Sequence, residues 1–472
     1  MSPIRFIIVS DLHLGASNSI LTALSADATQ TVPEVASPLL TRLGACLKKL
    51  ASLSGDSPPQ LVLNGDFMEL ALAGINEAGM TFQRFIESAL SPAGTFRSEV
   101  FCLPGNHDHH LWNMARETQY IDNYVSELAP GAQINPEYYA TNMFLNDRLR
   151  PVPAYLVNAL AAVSRLEAKP AFQIVYPNLA VLGRDRERCV VIHHGHYVES
   201  IYSLISTLTD VLFPSSVRPR NIWNLESDNG AWIDFFWSTL GRSGESGRDV
   251  ERIYDKMQSE PAFDQILNNI ARAVAPGVPP KWGLLDPAKR PLVRSVLEAT
   301  VGKSARREVL ESGSPLSADA AAGLRRYIEK YVHGEVLRGN EGRVPSDVTF
   351  IFGHTHKPFE ELRAFRGYAQ PVKVLNSGGW VVDSMEPDSL HGGAIVVVDD
   401  DLNAASVRLY QETPDSSASR VRIATATGAA NPLSAELERL VAADPAPWDS
   451  FAALAAACVA DHRRNLLYKI AH

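Results

Sequence analysis

The chain has 472 residues, 46% of them apolar, and a formal charge of −9 from 44 Lys+Arg against 53 Asp+Glu. That length supports about three domains or one large interrupted core, and the acidic balance argues against a globally basic protein that coats nucleic acid, though not against a local cationic site. The four cysteines (Cys46, Cys102, Cys189 and Cys458) form no CxxC pair, which argues against a thiolate zinc site or a disulfide scaffold. With no signal-peptide pattern and no apolar run of the ~18 residues a membrane helix needs, the expected location is cytoplasmic.

The first apolar run, Ile4–Val9, stops at Ser10-Asp11. A helical stripe follows (Leu39, Leu40, Leu43, Leu47, Leu50), then the run Leu61–Leu63 before Asn64-Gly65-Asp66. A second stripe (Phe82, Phe85, Ile86, Ala89) leads to Val100–Leu103 before Pro104-Gly105-Asn106, and Val190–Ile192 precedes His193-His194-Gly195. Such runs read as strands buried on both faces. Their alternation with helices predicts an α/β fold, in which the loops leaving the strand ends build the site.

Residues 199–345 break this rhythm. Stripes at Ile201, Leu204, Ile205, Leu208, Val211 and Leu212, at Trp232, Phe235, Phe236 and Leu240, and at Leu324, Tyr327, Ile328 and Tyr331 predict a mostly helical insertion. Four of the seven tryptophans (Trp223, Trp232, Trp237, Trp282) fall in it. Strands resume with Val348–Phe352 before Gly353-His354, then Val372–Leu375, Ala394–Val398 and Ser406–Tyr410. The polar stretch Glu412 to Arg420 reads as a linker. Two helices are predicted around Ser434–Ala442 and Asp449–Ile470; the second docks on the core, with peripheral contact of its basic end (Arg463, Arg464, Lys469) to an anionic membrane as the alternative. The expected division is a catalytic core of 1–198 plus 346–411, an insertion (cap or lid) of 199–345, and a linker with a short helical tail, 412–472.

Five polar clusters sit at strand ends: Asp11-Leu12-His13; Asn64-Gly65-Asp66-Phe67-Met68-Glu69; Gly105-Asn106-His107-Asp108 with His109 and His110; His193-His194-Gly195-His196; and Gly353-His354-Thr355-His356. Imidazole, carboxylate and amide oxygen all ligate borderline divalent metals. Taken singly, Asp11-Leu12-His13 fits a capping Asp beside a surface His, and Asn106 or Asp108 fits a helix N-cap. Three histidines within 193–196 have no such structural reading. Together the clusters hold nine of the 13 histidines. His107 suits a general acid whose ring Asp108 orients. Asn376-Ser377-Gly378-Gly379 closes a later strand on the same face.

In this order, Asp11-x-His13, Gly65-Asp66, Gly105-Asn106-His107-Asp108, His194-Gly195-His196 and Gly353-His354-x-His356 resemble the five signature blocks of the calcineurin-like metallophosphoesterase superfamily. The resemblance spans residues 11–356 of the framework and leaves out the insertion and tail. It implies a four-layer αββα sandwich and two divalent ions (Mn, with Fe, Zn or Co as alternatives). One ion would be held by Asp11, His13, Asp66 and His356, the other by Asp66, Asn106, His194 and His354, with His107 facing the scissile phosphate and Asp108 supporting it. It further implies hydrolysis of a phosphodiester or pyrophosphate bond by a metal-bridging hydroxide. His193, His196, Asn376 and Arg184 are candidates for substrate or supporting contacts.

The Asp66-Phe67-Met68-Glu69 block is distantly similar to the GD-x-x-E form of UDP-2,3-diacylglucosamine hydrolases, which insert a helical lid at the same place. This insertion is much larger, and His107 stands where that branch commonly carries Arg. The implied substrate is therefore a phosphorylated small molecule or a lipid-linked one. Nuclease relatives share the third block. The arginines that would serve nucleic acid (Arg184, Arg186 and Arg188; Arg306-Arg307; Arg325-Arg326) also read as solvated surface, so nucleic acid is the disfavoured partner. A non-catalytic binding scaffold is the remaining alternative, disfavoured because every ligand position is filled.

Overall fold

Strand β1 (Ile4–Val9) is apolar throughout because both its faces are covered. Ile7 and Val9 pack beneath helices, while Phe6 and Ile8 face a second sheet. In this computed structural model, which describes residues 2–123, 125–132, 141, 143–144, 152–212, 221–234, 313–384, 386–413, 420–427 and 431–471, the same alternation recurs through the central strands. The other strands are β2 (Gln60–Leu63), β3 (Glu99–Cys102), β4 (Val152–Pro153), β5 (Ala171–Ile174), β6 (Asn178–Leu182), β7 (Arg188–His193), β8 (Asp347–Phe352), β9 (Phe359–Arg363), β10 (Val372–Asn376), β11 (Gly392–Asp399), β12 (Ala404–Gln411) and β13 (Arg422–Ala424). One sheet runs β13-β12-β11-β1-β2-β3-β5-β4 and the other β6-β7-β8-β10-β9.

Between the sheets lies an apolar layer that includes Phe6, Val62, Phe101, Ile192, Ile351 and Val396. The outer face of the larger sheet is covered by α1 (Pro38–Ala51), α2 (Ile75–Ala89), α3 (His110–Asn123), α4 (Tyr155–Ala162) and, near the C-terminus, α9 (Pro432–Ala443) and α10 (Ala446–Ala471). The outer face of the smaller sheet is covered by α5 (Leu204–Leu212), α6 (Ile222–Ile233), α7 (Ala318–Arg326) and α8 (His333–Gly339); a π-helical stretch, Tyr327–Val332, joins the last two. The fold is thus a four-layer αββα sandwich. The described parts of the 199–345 segment supply its fourth layer.

β1, β2, β3 and β5 are mutually parallel, as are β7, β8 and β10. The C-terminal ends of β1, β2, β3, β7, β8 and β10 therefore deliver the five polar clusters and Asn376 to one edge of the sandwich, as expected for parallel α/β sheets.

Glu412, read from sequence as the start of a linker, is buried and accepts from Arg463 Nη2 at 2.8 Å. Residues 414–419 of that stretch lie outside the described residues, as do Phe235, Phe236, Trp237, Leu240, Trp282 and Arg306-Arg307. The tail helix α10 spans 26 residues and buries Trp448, Phe451 and Ala455 in the main core, beside α1. No helix among the described residues is long and apolar enough to cross a membrane.

Candidate metal centre

Three loops at the sandwich edge take a left-handed backbone at residues that carry side chains. Asp11 (φ 52°), His13 (φ 44°), Asp66 (φ 50°), His354 (φ 72°) and His356 (φ 56°) all adopt it. This conformation is uncommon outside glycine, and such strain concentrates at functional sites. Backbone bonds between the loops hold it: Asp11 N–H donates to Gly65 O at 2.9 Å and His13 N–H to Asp66 O at 2.8 Å. The Asp11 carboxylate accepts the His354 N–H at 2.9 and 3.0 Å, and Asp66 Oδ1 accepts the His107 N–H at 2.8 Å.

The result is two adjoining groups of ligand-type atoms, Asp11, His13 and His356, and Asp66, His194 and His354, each with its atoms within 4.8 Å of one another. A third combination, His13, Asp66 and His107, overlaps them. Asp66 Oδ2 lies between the groups, 3.9 Å from His13 Nε2 and 3.2 Å from His194 Nε2. Asn106 Oδ1 is 3.1 Å from His194 Nε2. Gly105 is needed for this approach, because a Cβ there would press on Asp66 Oδ1 and come within 2.7 Å of His194 Nε2.

The electrostatics fit a site built to hold cations. Burial alone would raise the Asp66 carboxyl, but His194, His107 and His13 outweigh it and hold the group well below the usual range. Burial would lower His194, yet Asp66 and Asp11 push it up to about 9. His356 is likewise raised, against burial, chiefly by Asp383 and Asp11. Buried His13 Nε2 has no hydrogen-bond partner among the described residues, while its Nδ1 is 2.8 Å from Glu69 Oε2. A buried imidazole whose other nitrogen is held by a carboxylate, with its free nitrogen facing further carboxylates, has the donor pattern of a metal ligand. The residues present therefore fit divalent ions.

A family model described as calcineurin-like phosphoesterase matches residues 4–234. Over those residues, just under half of its length, the chain is similar to the calcineurin-like phosphoesterase family. Members of this family are hydrolases of phosphoric esters that use divalent metals. No curated protein matches the chain. The match ends before β8, so His354 and His356 come from outside the matched segment and reach the centre through the parallel pairing of β7 and β8.

Sequence adjacency suggested Asp108 as the partner of the His107 ring, and this needs correction. The Asp108 carboxylate accepts backbone N–H groups of Gly105 (2.7 Å), Phe67 (3.0 Å), Asp66 (3.2 Å) and Met68 (3.4 Å), tying the second and third loops together. The His107 ring instead sets Nδ1 3.0 Å from both Glu69 oxygens. Glu69 thus receives both His13 and His107. Two further carboxylates were absent from the expected set: Asp383, 2.5 Å from His356 Nδ1, and Glu199, 2.7 Å from His354 Nε2.

The supporting candidates divide. Asn376 Nδ2 donates to Gly353 O at 2.8 Å and Thr355 Oγ1 at 3.1 Å, bracing the loop that carries His354. His193 and His196 are fully buried behind His194 and pack against Tyr327 and Tyr197 rather than facing the cleft. Arg184 is not brought to the centre. It is exposed in the turn between β6 and β7, at the opposite end of β7 from His193.

Proposed function

We propose that this protein is a two-metal phosphoesterase that hydrolyses a phosphodiester or pyrophosphate bond. The observation that carries the reading is the placement of one oxygen, Asp66 Oδ2, between His13 of one ligand group and His194 of the other. Asp11, His13, Asp66 and His356 would hold one divalent ion, and Asp66, Asn106, His194 and His354 the second, with Mn the first choice and Fe, Zn or Co suited to the same N/O donors. When bound, two such ions would clamp a phosphate, supply a nucleophile at neutral pH and offset the charge that develops in an in-line displacement.

The chain's own residues do the rest. Asp66 and Asp11 are pinned by backbone N–H donors and so keep fixed lone pairs toward the cleft. Glu69 binds the Nδ1 edge of His13 and of His107, which turns both Nε2 atoms toward the cleft. His107 is the more exposed of the two rings, 12% against 4%, and so is the one that meets substrate. Burial lowers its pKa, but Glu69 and Asp66 more than offset this and push it up to about 9. In its protonated form it would bind a phosphoryl oxygen or protonate a leaving alkoxide.

The test is hydrolysis of bis-p-nitrophenyl phosphate by metal-stripped protein with and without Mn²⁺, alongside a panel of phosphomonoesters, nucleoside diphosphate sugars, cyclic nucleotides and single-stranded DNA. Turnover that requires Mn²⁺ and is abolished by Asp66→Ala or His194→Ala supports the reading. Full metal occupancy with no turnover of any panel member overturns it.

A further inference from the structure

One cluster of buried polar side chains lies outside both ligand groups. Glu226 of α6 is a fully buried carboxylate in the helical layer, and a buried charge is costly unless it is multiply paired. Three donors from three separate segments converge on it. They are Tyr176 OH at 2.9 Å from the β5–β6 connection, Tyr197 OH just after β7, and His109 Nε2 at 3.1 Å. The other nitrogen of His109, Nδ1, is 2.7 Å from Asp234 Oδ1 at the C-terminal end of the same helix. Both edges of one buried ring are therefore gripped by carboxylates from α6. Burial lowers the pKa of that ring, and Asp234 and Glu226 raise it to about 10, consistent with an imidazolium that donates from both nitrogens.

α6 makes room for this grip. Gly230 sits beside Glu226, where a Cβ would come 2.6 Å from Glu226 Oε1 and 3.7 Å from His109 Cε1. Glycine inside a helix is less favourable than alanine, so the position favours the contact over helix propensity. His109 in turn opens α3, its carbonyl accepting from Trp112 N–H at 2.9 Å and Asn113 N–H at 3.2 Å. It stands two residues beyond His107 and three beyond Asn106, in a loop whose near end is tied by the His107 N–H to Asp66 Oδ1. The loop is thus fixed at one end by a ligand carboxylate and at the other by α6.

We propose that Glu226 and Asp234 are positioning residues for the catalytic loop, acting through His109 to set where Asn106 and His107 stand. Apolar packing would hold α6 on the core at lower desolvation cost; the charged grip additionally fixes one ring orientation and one loop register. The helical segment after β7 is then part of the catalytic apparatus rather than only a cover. This rests on the phosphoesterase reading for its kinetic test, but not for its spectroscopic one.

The experiment uses the full chain with Glu226→Ala, Glu226→Gln and Asp234→Asn. The expected result is a fall in kcat for bis-p-nitrophenyl phosphate of about 10–100-fold in Glu226→Ala, with KM and bound Mn²⁺ unchanged and partial rescue by Glu226→Gln, which keeps the acceptor oxygen. Asp234 is partly exposed, so Asp234→Asn decides the matter if Glu226→Ala does not fold; it should also lower kcat at constant KM. Unchanged kcat in the folded variants, or a loss explained by released metal, overturns the proposal. If the wild-type protein turns over no phosphate ester, the phosphoesterase reading fails and nuclear magnetic resonance decides this one. Glu226→Gln should shift the backbone amide signals of Asn106 and His107 and leave that of His354 in place; unmoved signals at 106 and 107 overturn it.

Discussion

Replacing Glu69 by Gln tests whether one carboxylate sets two rings. Glu69 accepts four donors: His13 Nδ1 at 2.8 Å, His107 Nδ1 at 3.0 Å, and the Ala71 and Leu72 N–H groups at 3.0 and 2.8 Å. It is buried, and against the raising effect of burial its carboxyl is held far below the usual range, first by His107 and then by His13. Glutamine offers one acceptor oxygen and replaces the other with an NH₂ that faces donors. The backbone pair bonds Oε1, so the loss falls on the ring contacts at Oε2. A hydrogen bond to a charged acceptor contributes about 1.5–3 kcal/mol, which corresponds to roughly 10–100-fold in affinity for a ligand held through such a partner. Mn²⁺ titration of the metal-stripped variant should show weakening of that order at the site that includes His13. Hydrolysis at saturating Mn²⁺ should still fall, because His107 loses its contact with Oε2 and must share Oε1 with the backbone pair. Wild-type Mn²⁺ affinity together with wild-type kcat would refute the role given to Glu69.

Gly105→Ala should fold but bind Mn²⁺ about 10-fold or more weakly, since its Cβ would displace Asp66 and His194; calorimetric titration reads this directly, and normal binding would contradict the packing. In metal-free protein His107 and His194 are both raised to about 9, against burial, by Glu69 and Asp66 and by Asp66 and Asp11 respectively. A raised folded-state histidine stabilises fully below its unfolded value near ~6.5 and loses that contribution as pH climbs through the folded value. The melting temperature of stripped protein should therefore fall between pH 7 and pH 10, and Mn²⁺ added near pH 7 should release protons into unbuffered solution; a flat melting profile and no proton release would count against these ion pairs. Burial pushes the thiols of Cys46 and Cys189 up to about 12, Cys458 up to about 11, and Cys102 well above its usual value. A thiol reagent at pH 8 should thus label the native chain slowly and all four cysteines once it is unfolded.

The strands legible from sequence, such as Ile4–Val9 and the run ending at Phe352, are buried on both faces, where continuous apolarity has a single cause. β9, with the sequence Phe-Glu-Glu-Leu-Arg, escaped because it is an edge strand whose outer positions meet water. β5 and β13 are short and half-covered. The residues with metal-ligand chemistry were readable because parallel strands end in short loops that keep Asp and His adjacent in sequence. Their carboxylate partners were not. Glu69 stands 38 residues from His107, Asp383 27 from His356 and Glu199 155 from His354, and only the pairing of sheets brings each pair together. Asp108 misled for the opposite reason: it is next to His107 in the chain, yet its carboxylate turns into a nest of backbone N–H groups.

The central claim is that Asp66 serves two ions at once. Calorimetric titration of metal-stripped protein with Mn²⁺, wild type against Asp66→Ala, tests it most directly. The account predicts two ions per chain in the wild type and weakened binding of both in the variant. A single ion in the wild type, or two ions held with wild-type affinity by Asp66→Ala, would contradict it.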